Sequence, residues 1–310
     1  MKKPIKFGVI GVGYLGNFHA QQLRLNKNVD LVGVFDLNSS LCLKVSKKYK
    51  VLAFKNIKDV LKSCDAVCVV TPTPSHFQIA KTALENSLHV FIEKPITYKI
   101  KEAEKLIFLA KKNKVKLQVG HIERFNSTYR TFCKSLKKPL FIESHRLSPF
   151  NIRGSDVAVV LDLMIHDIDL ILNLVDDKVV KINASGASVV SSFIDLANAR
   201  LTFKNGVVAN LTASRVSDKQ MRQMRVFEKN CYSALDLHNS VIKCLKVSNN
   251  KKIQNKSIKV KKDNALFLEL QSFVNSIIKN TKTLVSGNDG LNALKIAIKI
   301  QKIIEKQKNN

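Results

Sequence analysis

Three glycines, Gly11, Gly13 and Gly16, stand where a short apolar run gives way to a helical pattern. In a dinucleotide-binding turn, the first glycine permits a tight bend and the second admits a pyrophosphate against the backbone. The third lets the helix pack closely on the strand. Backbone N–H groups at the start of the helix then bind the phosphates. The spacing predicts a dinucleotide site made by Gly11, Val12, Gly13, Tyr14, Leu15 and Gly16.

An acidic residue, Asp36, ends the second predicted strand 20 residues after Gly16. A carboxylate at this position accepts hydrogen bonds from the adenosine ribose hydroxyls and repels a 2′-phosphate, so it favours NAD over NADP. Asn38 agrees with this preference, whereas three nearby lysines leave NADP open. We therefore expect NAD as the cofactor.

The tripeptide Glu93-Lys94-Pro95 directly follows the fourth predicted strand. In a parallel sheet the carboxyl ends of the strands face the ligand crevice, so Lys94 is placed to reach a nicotinamide or a reacting hydroxyl. The alternative is a solvated lysine, because 43 of the 52 basic residues are lysine. The position of Lys94 makes the two interpretations about equally strong.

One apolar helical segment carries several acids and a histidine. Helical spacing predicts that Asp162, His166 and Asp169 lie on one face. Such a face can present an imidazole as a general base while a carboxylate orients it. A structural histidine that joins two domains is the alternative. A zinc site is not expected, because no third His or Cys stands at a suitable spacing.

These candidate residues must be positioned by a regular fold, and the first 120 residues alternate short apolar runs with amphipathic stretches. Some of these runs are apolar on both faces, as strands covered by helices on both sides must be. This pattern predicts a doubly wound parallel sheet of the Rossmann type over residues 1–120. The predicted strands are 6–10, 31–35, 66–71, 89–92 and 116–119, and the predicted helices are 17–25, 56–62, 76–84 and 100–113.

The alternation of predicted strands and helices ends at about residue 120. In residues 121–310 several extended runs follow one another without intervening helices. This arrangement predicts an α+β domain with a large, mostly antiparallel open sheet. A long helix at about 156–174 precedes most of these strands, and two helices, 266–279 and 290–306, end the chain and are free to pack back on the first domain. The predicted strands are 140–147, 188–193, 199–203, 207–213 and 241–247.

The composition is that of a folded protein with an excess of lysine. The 310 residues carry a formal charge of +28 while 45% are hydrophobic, which excludes a disordered polycation. The lysines occur as scattered pairs and not in blocks interleaved with aromatics, so compositional drift explains them better than a nucleic-acid partner. The six cysteines lack metal spacing, and no apolar run suits a signal sequence or a membrane span. We expect a cytoplasmic protein with reduced thiols, no bound metal and no membrane insertion.

Together these motifs resemble the Gfo/Idh/MocA oxidoreductases over nearly the whole chain. The matching pieces are 11–16 with His19, Asp36, Thr71-Pro72 with His76, 89–95, Asp162 with His166, and 273–290. The resemblance implies an NAD-binding Rossmann domain and a substrate-binding α+β domain whose open sheet forms homodimers or homotetramers. It assigns catalysis to Lys94, Asp162 and His166. It adds Thr71, Pro72, His76, Glu93 and Lys94 to the cofactor site.

Within that family, residues 120–126, 146–153 and 162–169 resemble the members that oxidise the C3 hydroxyl of UDP-N-acetylglucosamine. This resemblance implies a 3-keto sugar as the product, which an aminotransferase would convert to the 3-amino sugar of lipid A. Dehydrogenases of UDP-N-acetylglucuronate or of a polyol such as inositol share most of these residues and stay as alternatives. A non-catalytic NAD-binding regulator is the alternative of another class.

Eight of the nine arginines lie between Arg124 and Arg225. In a lysine-rich chain, arginine is expected where a planar, forked donor is needed, and a nucleotide-sugar diphosphate is such a partner. Salt bridges in the sheet or between subunits are the expected role of Arg200, Arg222 and Arg225. The predicted substrate-binding residues are Arg124, Asn126, Arg146, Arg153 and His166.

Overall fold

A computed structural model describes residues 3–151, 157–248 and 251–308 of the protein, and it divides the chain into two compact units. The first unit comprises residues 1–122 together with 264–291, and the second comprises 123–263 together with 292–310. Residues 264–291, near the end of the chain, therefore belong with the first unit. The predicted substrate-binding residue Arg153 and residue 156, where a helix was predicted to begin, lie outside the described ranges.

The first unit contains a six-stranded parallel sheet with strand order β3-β2-β1-β4-β5-β6, which confirms the predicted Rossmann fold. Its strands are β1 (Ile5–Ile10), β2 (Val29–Phe35), β3 (Leu52–Ala53), β4 (Ala66–Val69), β5 (His89–Glu93) and β6 (Leu117–Gly120). Its helices are α1 (Tyr14–Arg24), α2 (Ser39–Tyr49), α3 (Ile57–Ser63), α4 (Thr73–Glu85), α5 (Ile100–Lys112) and α8 (Ala265–Ile278).

Apolar strands and asparagine-capped helices form this sheet and its covering layers. All four residues of β4 are buried, as the two-sided apolar pattern requires. Asparagine side chains cap the N-termini of three helices, because each accepts a hydrogen bond from a backbone N–H of the first turn. Asn38 accepts from Leu41, Asn56 from Asp59 and Asn264 from Phe267. The sequence analysis missed β3, which has only two residues, and α2, whose sequence contains three lysines.

Helix α8 packs against the apolar core of the first unit. The ring of Phe273 lies edge-on to Phe7 and Phe91, with centroids 6.1 and 5.9 Å away. Phe273, Leu270 and Val274 belong to the same apolar cluster as the β1 residues. A helix from the end of the chain thus completes the core of the first unit.

The second unit contains an eight-stranded sheet with strand order β14-β13-β12-β11-β7-β10-β9-β8. Every adjacent pair is antiparallel except β7 and β10, which run parallel, so the mostly antiparallel prediction is confirmed. The strands are β7 (Pro139–Leu147), β8 (Val179–Ala187), β9 (Leu196–Phe203), β10 (Val208–Ser214), β11 (Met221–Glu228), β12 (Cys231–Asp236), β13 (Val241–Val247) and β14 (Ile253–Lys259).

Residues 188–193 form a turn and not the predicted strand, because a buried carboxylate collects their backbone donors. Oδ2 of Asp195 accepts hydrogen bonds from the N–H groups of Val189, Val190 and Ser191 at 2.8 to 2.9 Å. Three successive N–H groups that point at one oxygen cannot alternate between neighbouring strands. The sequence analysis also missed β11 and β12, where polar residues interrupt the alternation.

Helical elements cover one face of this sheet. A 3₁₀ turn (Ile122–Phe125) leads into α6 (Ser127–Cys133), and a π turn (Val160–Met164) leads into α7 (Ile165–Val175). The last helix, α9 (Gly287–Lys308), begins in the first unit and continues into the second. Among the helices with described placement, none is both long and apolar enough to cross a membrane.

Replacing Gly16 by alanine should destabilise the protein. A Cβ at Gly16 would overlap the carbonyl oxygen of Gly11, whose own backbone is left-handed at φ +87°. Opening that contact should cost about 1–3 kcal/mol of unfolding free energy, measured by urea denaturation. Gly13→Ala is the matched control, because a Cβ there meets no atom within 4 Å. Equal stability of the two variants would contradict this account.

Candidate active site

The glycine turn in the first unit combines close packing with one open position. A Cβ at Gly11 would lie 2.7 Å from the carbonyl oxygen of Val70, whereas a Cβ at Gly13 would stand in open space. Helix α1 begins directly after Gly13 and has no side-chain cap on its first N–H groups. Uncapped N–H groups beside an open backbone position are the arrangement that a pyrophosphate requires.

Asp36 stands beside this turn. Its Oδ2 accepts a hydrogen bond from the N–H of Val12 at 2.8 Å, and its Oδ1 accepts one from the N–H of Asn38 at 2.9 Å. The carboxylate therefore joins the end of β2 to the glycine turn. It is only partly buried, and each oxygen keeps further acceptor capacity for a ribose hydroxyl.

Lys94 follows β5 and is held through the side chain of its neighbour Glu93. Nε2 of His19, on α1, lies 2.9 Å from Oε1 of Glu93, and the N–H of Lys94 donates to Oε2 at 3.2 Å. Burial alone would raise the pKa of Glu93, but the hydrogen bond and charge of His19 and the charge of Lys94 lower it. The carboxylate of Glu93 is therefore engaged with His19 and Lys94 inside the unit, and its contact with a cofactor stays a prediction.

His76 has a structural position that the sequence analysis did not foresee. The side chain is 1% exposed, with Nδ1 3.0 Å from the carbonyl oxygen of Pro95 and Nε2 2.8 Å from that of Thr71. Burial lowers the pKa of His76 against the opposing effect of these carbonyls. The ring joins the segments after β4 and β5 and supports the loop of Lys94, and its contact with a cofactor stays a prediction.

The second unit carries Asp162 in the π turn and His166 in the first turn of α7, and both side chains are partly exposed. Asp169, three residues after His166 in the same helix, is buried and paired with Arg124. Asp162 precedes that helix in the π turn, so the angular offset of an ideal α-helix does not apply between Asp162 and His166. Asp167 and Asp169 point into the protein, while Asp162 and His166 keep access to solvent.

Two buried arginines receive the carboxylates of α7. Arg146, on β7, donates from Nε and Nη2 to Asp167 at 3.0 and 2.8 Å. Arg124, in the 3₁₀ turn, donates from Nε and Nη2 to Asp169 at 2.6 and 2.9 Å. Paired N–H donors on one carboxylate restrict distance and orientation together. The two pairs therefore hold α7 against the 3₁₀ turn and the sheet.

Further polar side chains complete this network around Glu123. Its Oε1 accepts from Nη1 of Arg146 at 2.9 Å and lies 3.5 Å from Nη1 of Arg222. Asn126 caps α6 by accepting from the N–H of Thr128 at 3.0 Å, and it donates to Oε2 of Glu123 at 3.1 Å. The network thus includes most of residues 123–126.

This network gives the predicted substrate-binding residues Arg124, Asn126 and Arg146 partners within the second unit, and their contact with a substrate stays a prediction. Arg124 is 8% exposed and Arg146 is 4% exposed, and their donors face carboxylates of the same unit. A diphosphate would have to replace these carboxylates inside the protein. The preference of arginine for forked acceptors pointed to the right residues, but their acceptors are internal. Arg153 lies outside the described residues.

The other predictions divide between the two units. The glycine turn, Asp36 and Lys94 belong to the first unit, whereas Asp162 and His166 belong to the second. The sequence analysis missed the supporting roles of His19 and Glu123, although each stands in a motif that it had singled out. Within the described ranges, no three His, Cys, Asp or Glu side chains are grouped to hold a metal ion.

Glu123 should contribute to stability in a pH-dependent way. Burial alone would raise its pKa, but the charge and hydrogen bond of Arg146 and the charge of Arg222 lower it. A lowered native pKa stabilises the protein above the unfolded pKa of about 4.3, and this contribution is lost as the pH falls through the native value. We expect Glu123→Gln to be less stable at pH 7 and to lose less further stability on acidification.

Urea denaturation at a series of pH values between about 7 and 3 measures this effect, since it spans the titration of a stabilised carboxylate. Glu143→Gln is the control, because the side chain of Glu143 is 30% exposed beside Arg225 and lies outside the network. An acid sensitivity of Glu123→Gln as steep as that of the unmodified protein would contradict the assignment.

Comparison with known proteins agrees with this geometry. Residues 5–121 match the family model described as the Gfo/Idh/MocA oxidoreductase family with an NAD-binding Rossmann fold, and residues 118–229 match a Gfo/Idh/MocA C-terminal domain. UDP-N-acetylglucosamine 3-dehydrogenase from Acidithiobacillus ferrooxidans is 34% identical over 97% of this chain and 97% of its own. A solved structure of that enzyme superposes with a TM-score of 0.93, covering 98% of this chain and 99% of its own.

A more distant relative is the myo-inositol 2-dehydrogenase of Thermotoga maritima, 25% identical over 68% of this chain and 69% of its own. Both relatives are named as dehydrogenases, and both family models fall on the units that carry the candidate residues. The chain belongs to the Gfo/Idh/MocA family of oxidoreductases, with an NAD-binding Rossmann domain.

Proposed function

We propose that the protein is an NAD-dependent dehydrogenase that oxidises the C3 hydroxyl of UDP-N-acetylglucosamine to a ketone. The observation that carries this proposal is the similarity along the full length of both chains to an enzyme of that name, at 34% identity and a TM-score of 0.93. The retention of Lys94, Asp162 and His166 supports an active enzyme over a non-catalytic NAD-binding regulator.

The residues of the first unit fit a dinucleotide. Gly13 leaves room beside uncapped N–H groups, and Asp36 offers a carboxylate where an adenosine ribose is expected. NAD, when bound, supplies a nicotinamide that accepts a hydride. A carboxylate at this position disfavours a 2′-phosphate, so we propose NAD and not NADP as the cofactor.

Two side chains are suited to handle the proton of the hydroxyl. His166 is partly exposed at the start of α7, and its imidazole can accept a proton near neutral pH. Lys94 carries an amine on a loop fixed by Glu93 and His76. We propose that one of these two groups accepts the hydroxyl proton, that the other assists it, and that Asp162 orients the imidazole.

The product chemistry suggests the next reaction. A 3-keto sugar is a substrate for an aminotransferase, and we propose that the resulting 3-amino sugar serves lipid A with amide-linked acyl chains. We also propose assembly into a homodimer or homotetramer through the partly exposed face of the second sheet. That face presents an aromatic group of Phe141, Phe227 and Tyr232, with neighbouring centroids 5.7 and 5.0 Å apart.

A polyol dehydrogenase is the second candidate, favoured by the similarity to a myo-inositol 2-dehydrogenase. That similarity covers about two thirds of the chain at 25% identity, so it is the weaker of the two. Oxidation of UDP-N-acetylglucuronate would use the same groups on a more anionic sugar. The three reactions differ in substrate and all produce NADH, which allows a direct comparison.

A substrate panel tests the function and the proposed residues together. NADH formation should be fastest with UDP-N-acetylglucosamine among UDP-N-acetylglucosamine, UDP-N-acetylglucuronate and myo-inositol. Lys94→Ala and His166→Ala should each lower turnover by roughly 100-fold or more, because a positioned acid or base contributes on that scale. Absorbance at the NADH band measures the rates.

The exposed residues Lys99 and His238 provide matched controls, and Lys99→Ala and His238→Ala should keep near-normal turnover. Activity on myo-inositol without activity on either UDP-sugar would refute the substrate proposal. Normal turnover in both Lys94→Ala and His166→Ala would refute the assignment of these residues, whatever the substrate.

Asp36 should decide the choice between the two cofactors. Asp36→Ala removes a charged acceptor worth about 1.5–3 kcal/mol, so kcat/KM with NAD should fall by roughly 10–100-fold. The loss with NADP should be much smaller, because the repulsion of the 2′-phosphate disappears as well. Asp30→Ala changes an exposed carboxylate in β2, the strand that Asp36 follows, and serves as the control. Equal losses with both cofactors would contradict the proposal.

A further inference from the structure

Two thiols lie in contact on the second sheet, far along the chain from the candidate catalytic residues. Sγ of Cys231, at the start of β12, is 3.5 Å from Sγ of Cys244, in the middle of β13. The register pairs Cys231 with Lys246 and Ser233 with Cys244, so the two cysteines are diagonal neighbours on one face of an antiparallel pair. Diagonal neighbours are within reach of each other across such a pair.

The surroundings keep the two thiols together. Oγ of Ser233 lies 3.9 Å from Sγ of Cys231 and 3.7 Å from Sγ of Cys244, so a hydroxyl touches both sulfurs. This face continues into the buried residues Val226 and Ile142, on the side opposite to the aromatic group of Phe141, Phe227 and Tyr232. An assembly through that aromatic group would therefore not bury the thiol pair any further.

The pair differs from the three buried cysteines in its access to solvent. Cys42, Cys64 and Cys68 are buried in the first unit, and burial raises the pKa of Cys64 to about 12. Thiols that are buried and protonated react slowly, because the thiolate is the nucleophile. Cys231 and Cys244 are partly exposed, and of the others only Cys133, on α6, shares this property.

Cations stand next to both thiols. Lys246 is directly opposite Cys231 and Lys256 is directly opposite Cys244, and both lysines are exposed. On the other side of Cys231, Glu228 is directly opposite, and burial, the contact with Cys244 and the charge of Glu228 raise the pKa of the Cys231 thiol. Two ammonium groups and one carboxylate therefore flank the pair, and they leave a net positive charge beside it. Such a site attracts an oxidant that carries negative charge, and small disulfides made from acidic thiols are such oxidants.

We propose that Cys231 and Cys244 form a reversible modification site, a dithiol that an anionic low-molecular-weight disulfide oxidises to an intramolecular disulfide. The thiolate of one cysteine attacks the small disulfide, forms a mixed disulfide and releases one small thiol. The second cysteine, as its thiolate, then attacks the protein sulfur of the mixed disulfide and releases the other small thiol. The two cysteines lose two protons and two electrons, and the small disulfide gains both.

The bond requires the sulfurs to approach from 3.5 Å to about 2.05 Å. It also requires β12 and β13 to move closer at this point, because diagonal neighbours stand about 7–8 Å apart, beyond the usual Cα separation of a disulfide. The new link encloses residues 232–243, which already form a hairpin. The sheet therefore keeps its topology in both redox states. The proposal does not depend on the dehydrogenase activity and is tested without it.

The test treats the reduced full-length protein with glutathione disulfide, traps it with acid and alkylates the remaining thiols. Mass spectrometry should show the loss of two hydrogens per chain and a linked pair of peptides that contain Cys231 and Cys244. Dithiothreitol should reverse the link. Cys133→Ser should form the link at the normal rate, whereas Cys231→Ser and Cys244→Ser should each stop at one glutathione adduct.

Two further variants test the role of charge. Lys246→Gln and Lys256→Gln should each slow the reaction with glutathione disulfide by roughly two- to threefold, and should leave the reaction with neutral hydroxyethyl disulfide unchanged. Adducts without a link, a link between two chains, or no reaction in the native protein would overturn the proposed site. Unchanged rates in both lysine variants would overturn the preference for an anionic oxidant.

Discussion

A buried guanidinium group keeps its charge, so the protein must surround it with acceptors or accept a large desolvation cost. Arg146 and Arg124 meet this requirement through Asp167 and Asp169. Because both aspartates belong to α7, the need to neutralise two arginines also determines where α7 lies. The positions of Asp162 and His166 at the start of this helix follow from that constraint. Loss of one partner would leave a buried charge, at a cost of about 3–5 kcal/mol.

The first unit meets a different requirement, which is to keep space open beside a tightly packed turn. Gly11 and Gly16 bring strand and helix together, while Gly13 leaves its side of the backbone accessible. Behind this turn, His19 and His76 hold the residues on both sides of Lys94 through Glu93 and Pro95. Lys94 is partly exposed, and its position is thus set by the buried side chains of His19 and His76.

The sequence predicted the Rossmann fold, the antiparallel second sheet and most strands, because their signals lie in local apolar periodicity. It did not predict the turn at 188–193, since the deciding acceptor, Asp195, stands beyond the segment that it organises. The internal partners of Arg124 and Arg146 were not predicted for a related reason. Residue type indicates that an arginine needs a forked acceptor, but only the fold shows that Asp169 and Asp167 supply it. His76 likewise gave no local sign that two backbone carbonyls would surround its ring.

The parallel pairing of β7 with β10 has a consequence for the order in which the second unit can form. The chain between these neighbours includes the π turn, α7, β8 and β9. The two central strands can therefore pair only after this long segment has brought β10 back beside β7. The loop-closure entropy must be overcome before the pairing stabilises the sheet. The helix that carries His166 is therefore part of the connection that the central strands require. Its amide protons should exchange with solvent mainly through cooperative opening of the whole unit, and not through local fraying.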